Sequence, residues 1–169
     1  MPLTKFDVVE RQVGVAIRLF FNGDDPIAIH TLGSAAFRVL YDISKKQQRQ
    51  FHFLFDDIIV PGKKRIFWDH FNRISEFSKH ADRKPNDVLK DFNENLNDYL
   101  LFFCILGWSD NGKPLPQTMD AFYRWFITVH PNVLKDSAPF KEEAVKLMAK
   151  NMPRKAQLEV GRRLLAAKQ

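Results

Sequence analysis

The sequence predicts an all-α protein, a single bundle of six or seven helices, and three observations carry that reading. Apolar residues recur at helical spacing in segment after segment, so one face of each segment can turn to a core. Helix start and stop signals (Asn22-Gly23, Asp25-Pro26, Pro61-Gly62, Pro85, His130-Pro131 and Pro153) punctuate those segments. Sixteen phenylalanines in 169 residues imply an interior built from aromatic rings.

The first helix is expected over 4–21, with Thr4 as cap and Phe6, Val9, Val13, Ile17 and Phe20 or Phe21 inward; Asn22-Gly23 ends it. Asp25 then caps a second helix over 26–44, with proline in its first turn. Ile29, Leu32, Ala36, Val39, Leu40 and Ile43 form its core stripe, and His30, Ser34, Phe37 and Tyr41 form a second stripe on another side. A helix committed on two sides belongs at the centre of a bundle or in an interface. Residues 45–50 read as a connection. The run FHFLFDDIIV (51–60) is short and rich in Phe and Ile, and with no partner strand elsewhere it is taken as helical or irregular.

Residues 63–84 carry the longest unbroken helical period and are expected to organise the bundle. With Arg73 set at zero, Phe67, Phe71, Ile74, Ser78 and Ala81 fall between about 80° and 160°, while Asp69, Glu76 and His80 gather around Arg73. Pro85 should stop this helix. Residues 86–97 read as a loop or a short helix. LNDYLLFFCILGWS (96–109) is apolar nearly all round and is expected innermost. After the turn at 110–114, Pro116 to Val129 forms another helix with Met119, Phe122, Phe126 and Val129 inward. The bundle core is thus expected over 1–135. Residues 136–169 are expected to add two peripheral helices of the same domain, beginning at Ser137 or Pro139 and at Pro153. Residues 133–169 carry nine basic against four acidic side chains, whereas residues 1–132 are near neutral with 17 against 16. Nucleic acid, if bound, would engage these basic C-terminal helices.

Several classes are excluded or disfavoured. The longest apolar run, Tyr99 to Trp108, is about half of a bilayer span, so no membrane association is expected. MPLTKFDVVERQ lacks the basic start and apolar stretch of a signal peptide. A lone cysteine, Cys104, excludes an intrachain disulfide and fits a cytoplasmic setting, with the thiol buried and inert. No glycine-rich phosphate loop, CxxC or HExxH is present, so no cofactor or metal is expected. His30, His70 and His80 with Asp69 or Asp82 form the one set able to meet around a metal, and nothing in their spacing requires it.

Two resemblances bear on function. HTLGSAAFRVLYDI (30–43) and SEFSKHADRKP (75–85) resemble segments from a group of uncharacterised bacterial all-helical proteins, which brings no assigned activity. Were those stretches to face one another, His30, Ser34, Tyr41, Lys79, His80 and Asp82 would line a polar pocket. Arg73-ISEFSK-His80 is also similar to the Arg-to-His spacing of the HEPN superfamily, helical domains many of which cleave RNA without metal. That resemblance implies His80 as acid/base and Arg73 as holder of the scissile phosphate. The reading expected first is a module without a demonstrable active site, self-associating as a homodimer or binding a helical protein partner. A HEPN-type ribonuclease using Arg73 and His80 is the second. A small-ligand binder at the His30/Tyr41 face is the third.

Overall fold

The computed structural model describes residues 2–47, 64–80, 82, 85–131 and 149–167, with residues 64–68 and 70 described as backbone only. The expectations for 51–60, for the helix beginning at Ser137 or Pro139, and for the Phe67 and His70 side chains lie outside the described residues. Within them the chain forms six α-helices and no strand: α1 (Lys5–Asn22), α2 (Pro26–Lys46), α3 (Lys64–Lys79), α4 (Leu96–Asp110), α5 (Gln117–Val129) and α6 (Arg154–Ala166). A single 3-10 turn, Ala149–Asn151, precedes α6. The predicted class and most boundaries therefore hold.

Local chemistry sets the first two helices. Thr4 accepts from the Asp7 amide at 3.1 Å and the Asp7 carboxylate accepts from the Thr4 amide at 2.7 Å, a reciprocal capping box. Gly23, in the left-handed region at φ 77°, closes α1. Asp25 caps α2 by accepting from the Ala28 amide at 2.8 Å, and Pro26 occupies the first turn, where its missing N–H costs nothing.

The centre of the bundle is α2 against α4. Asn97, at the start of α4, donates to the Pro26 carbonyl at 2.9 Å, and Asn111, past its end, donates to Ser44 Oγ at 3.0 Å. Between these staples the Cys104 thiol donates to the Gly33 carbonyl at 3.4 Å. The same sequence offset, 67 residues, joins His30 to Asn97 and Ser44 to Asn111, so the two helices run parallel and in register. Gly33 permits the approach, since a Cβ there would lie 2.8 Å from Leu100 Cδ2. Burial keeps the Cys104 thiol protonated by raising its pKa.

A second layer holds the aromatic interior. Phe102 of α4 stacks on Phe126 of α5 at 3.9 Å between centroids, and Phe20 of α1 meets Phe122 and Trp125 edge-on at 5.2 and 4.9 Å. Such pairs are worth about 0.5–1.5 kcal/mol beyond their burial. α6 closes this layer from outside: the Trp125 indole donates to the Gln157 carbonyl at 2.7 Å, and Arg162 Nη1 donates to the Phe21 carbonyl at 2.7 Å.

α3 is placed differently from the sequence expectation. It does not organise the bundle; it flanks α2 from the edge, giving Phe71 to the main core, with Ile74 also buried. It ends at Lys79 rather than running to Pro85, and 86–95 are turn and irregular backbone. Ser78, expected on the apolar stripe, is exposed. A helix with one apolar stripe covers an edge, while one apolar all round, as α4 is, must sit inside.

A glycine on α1 supplies a control for the packing. A Cβ on Gly14 would meet only Arg18 Nη1, at 3.6 Å, so there is room for a methyl. Gly14→Ala is expected to raise stability by about 0.5–1 kcal/mol through helix propensity and a stiffer unfolded chain. Urea denaturation checks it.

Candidate functional site

Two i, i+3, i+4, i+7 faces meet where α3 covers α2. Ser34, Phe37, Arg38 and Tyr41 line one wall of a groove of about 370 Å³, and Asn72, Ser75, Glu76 and Lys79 line the other. Phe71 and His80 complete it. The volume lies within the range of small-molecule sites. Ser34, Tyr41, Lys79 and His80, from the two stretches named in the sequence, thus border one groove. Arg38, Asn72 and Ser75 were not singled out, and Glu76 was named only in the charge ladder around Arg73.

The groove holds polar groups in different states of engagement. Arg38 Nε donates to Asp42 Oδ2 at 3.1 Å along its own helix, and His80 lies 3.7 Å from Glu76 and 3.8 Å from Asp82. Lys79 makes no ion pair among the described residues. Ser34 is 9% exposed, and its hydroxyl has no hydrogen-bond partner among the described residues. Thr31, Ser78 and Thr128 behave otherwise, each donating to the carbonyl four residues back. That bond is the usual recourse of a helical hydroxyl.

His30 does not line the groove as expected; it is fully buried beneath it, between Phe71 and Phe92. Its Nδ1 is 3.0 Å from Asn97 Oδ1, and Asn97 is oriented by donating its amide to Pro26. With Asn97 Oδ1 facing it, Nδ1 is the nitrogen that donates in this bond. Burial pushes the His30 pKa below its ordinary 6.5, outweighing the bond to Asn97, which acts upward. Since the folded state resists the proton, the contribution of His30 is full above the unfolded pKa and is lost as pH falls below about 6.5. Denaturation midpoints between pH 7 and pH 5 should accordingly fall more steeply for the natural chain than for His30→Gln.

The remaining expected site residues lie elsewhere. Asp82 is exposed and touches His80 from outside the groove. Arg73 is exposed, and its guanidinium donates to the Lys90 carbonyl rather than facing the groove. Arg73 and His80 point along one side of α3, as their seven-residue spacing requires, but only His80 borders the groove. No group of three metal-ligating side chains occurs among the described residues. The stripe of His30, Ser34 and Phe37 is buried within the chain itself. On the basic C-terminal helix, Leu158 and Leu165 pack on the core, and Arg162 pairs with Glu159 at 2.7 Å.

A second polar cluster escaped the sequence reading. Asp98, 1% exposed at the start of α4, accepts from Arg154 Nη1 at 2.9 Å and Nη2 at 2.6 Å, and from His130 Nε2 at 2.9 Å. The guanidinium also lies over Phe20 and Trp125, 4.9 and 5.3 Å from their centroids. The one signal for it was a carboxylate in the most apolar segment of the chain. Its geometry is that of a clamp joining α4, the end of α5 and α6.

No known family model, curated protein or solved structure matches the chain. The class is therefore the one its geometry defines: an all-α bundle with an aromatic interior and a mixed polar and aromatic groove between its second and third helices. None of its described helices is long and apolar enough to cross a membrane.

Proposed function

We propose that this protein binds a small molecule in the groove between α2 and α3. The observation that carries the reading is the convergence of two chemically distinctive helix faces, 34/37/38/41 and 72/75/76/79, on one concavity. Aromatic rings beside a few polar groups are what a ligand site needs: apolar area for affinity and fixed polar atoms for orientation. The unengaged Ser34 hydroxyl and Lys79 ammonium supply polar atoms with no competing partner among the described residues. The ribonuclease and self-association readings lack a comparable supporting feature, since Arg73 is committed to Lys90, and His30, Ser34 and Phe37 of the second α2 stripe are buried within the chain.

The test is a thermal-shift screen against organic acids, amines, neutral aromatics and nucleotides. A compound at a hundred times its Kd should stabilise the fold by about 2.7 kcal/mol, a rise of roughly 5–10 °C for a chain of this size. Ser75→Trp, which fills the groove, should abolish the rise. Absence of any stabilising compound, or a rise undiminished in Ser75→Trp, would refute the proposal.

A further inference from the structure

Resting on the groove as a binding site, the charge inventory of its walls narrows the ligand to a chemical class. Four lining side chains carry or can carry charge: Arg38, Glu76, Lys79 and His80. Arg38 is engaged by Asp42 at 3.1 Å, and Glu76 and His80 lie one helical turn apart at 3.7 Å. Lys79 alone among these makes no ion pair within the described residues. A cationic ligand would meet Lys79 with no uncommitted carboxylate in the walls to offset the repulsion. A dianion such as a phosphate monoester would bring two negative charges to one uncommitted positive charge, beside Glu76. A monoanion meets Lys79 one charge to one.

Two further features shape the rest of the molecule. Ser34 is nine-tenths buried, and its hydroxyl, without a partner among the described residues, can donate to an oxygen anion. Phe37, Tyr41 and Phe71 offer ring surface in the same groove, which favours a flat apolar body over a sugar or a peptide. We infer that the ligand is a carboxylic acid on a planar apolar framework, its carboxylate held by Lys79 and Ser34 and its body laid against the aromatic rings. Lys79 sets the charge preference, and Ser34 orients the carboxylate.

Three probes of one shape test this: 1-naphthoate, 1-naphthamide and 1-naphthyl phosphate, titrated calorimetrically into the whole chain. The carboxylate is expected to bind about tenfold more tightly than the amide, as one charge-assisted contact allows, and more tightly than the phosphate. Lys79→Gln, a change at an exposed position, should erase the preference for acid over amide. Ser34→Ala, which removes only the hydroxyl, should weaken the acid severalfold. Equal binding of acid and amide, tighter binding of the phosphate, or a preference that survives Lys79→Gln overturns the assignment. Should the three probes fail while another compound from the screen binds through the groove, the carboxylate assignment falls and the binding site stands. Should nothing bind, both fall.

Discussion

Arg154→Met is expected to destabilise the fold by about 3 kcal/mol, because it strips a buried carboxylate of its main counter-charge. Asp98 is 1% exposed, and three of the hydrogen bonds its oxygens accept come from Arg154 and His130, two of them from the guanidinium. Methionine preserves the unbranched stem beside Phe20 and Trp125, so the loss isolates the charge rather than the packing. Breaking a fully buried pair costs about 3–5 kcal/mol; with Arg154 31% exposed, the lower end applies. Urea denaturation should show the midpoint lowered and the slope unchanged. Asp98→Asn combined with Arg154→Met should cost less than the two single changes added, since the doubly changed site holds no unpaired charge. A loss below about 1 kcal/mol for Arg154→Met would show that the clamp is ornamental to stability.

Gly161→Ala should destabilise by about 2 kcal/mol, opposite in sign to Gly14→Ala on α1. A Cβ at 161 would fall 2.1 Å from Phe21 Cε1 and 2.3 Å from Cδ1. Phe21 is fully buried, its ring held among Phe20, Phe122 and Trp125, so neither ring nor helix can yield without disturbing the aromatic layer. Overpacking of this kind costs about 1–3 kcal/mol, occasionally more, and outweighs the gain of about 1 kcal/mol in helix propensity. The loss should concentrate at α6, whose amides should exchange faster than those of α2 and α4. Phe21→Leu should recover part of it in the double variant by making room. A Gly161→Ala variant as stable as the natural chain would mean that α6 does not dock through this contact.

The elements of the fold were legible where local chemistry is self-sufficient. Thr4 with Asp7, Asp25 with Pro26, and Gly23 announce helix ends because capping needs only residues three or four apart. The interior position of α4 was legible too, because a segment apolar on every side has one stable place. The rank of α3 was not. Its period is as clear as any in the chain, but period reports that a face is buried and not how deeply or against what. Part of the groove was named from the sequence: Ser34 and Tyr41 by their helical stripe, Lys79 and His80 by the stretch they lie in, whereas His30 was expected in the wall and lies sealed under it, bonded to Asn97.

What could be read from the sequence is therefore the all-α class, the aromatic interior and the second stripe of α2, since each follows from spacing within a single element. The tertiary structure alone decided that α2 and α4 run parallel through the centre, that Asp98 is clamped by Arg154 and His130 from elements far along the chain, and that the two distinctive faces meet across one groove. Those outcomes depend on which surfaces of separate helices exclude water together, and packing between distant segments leaves no periodic trace in the segments themselves.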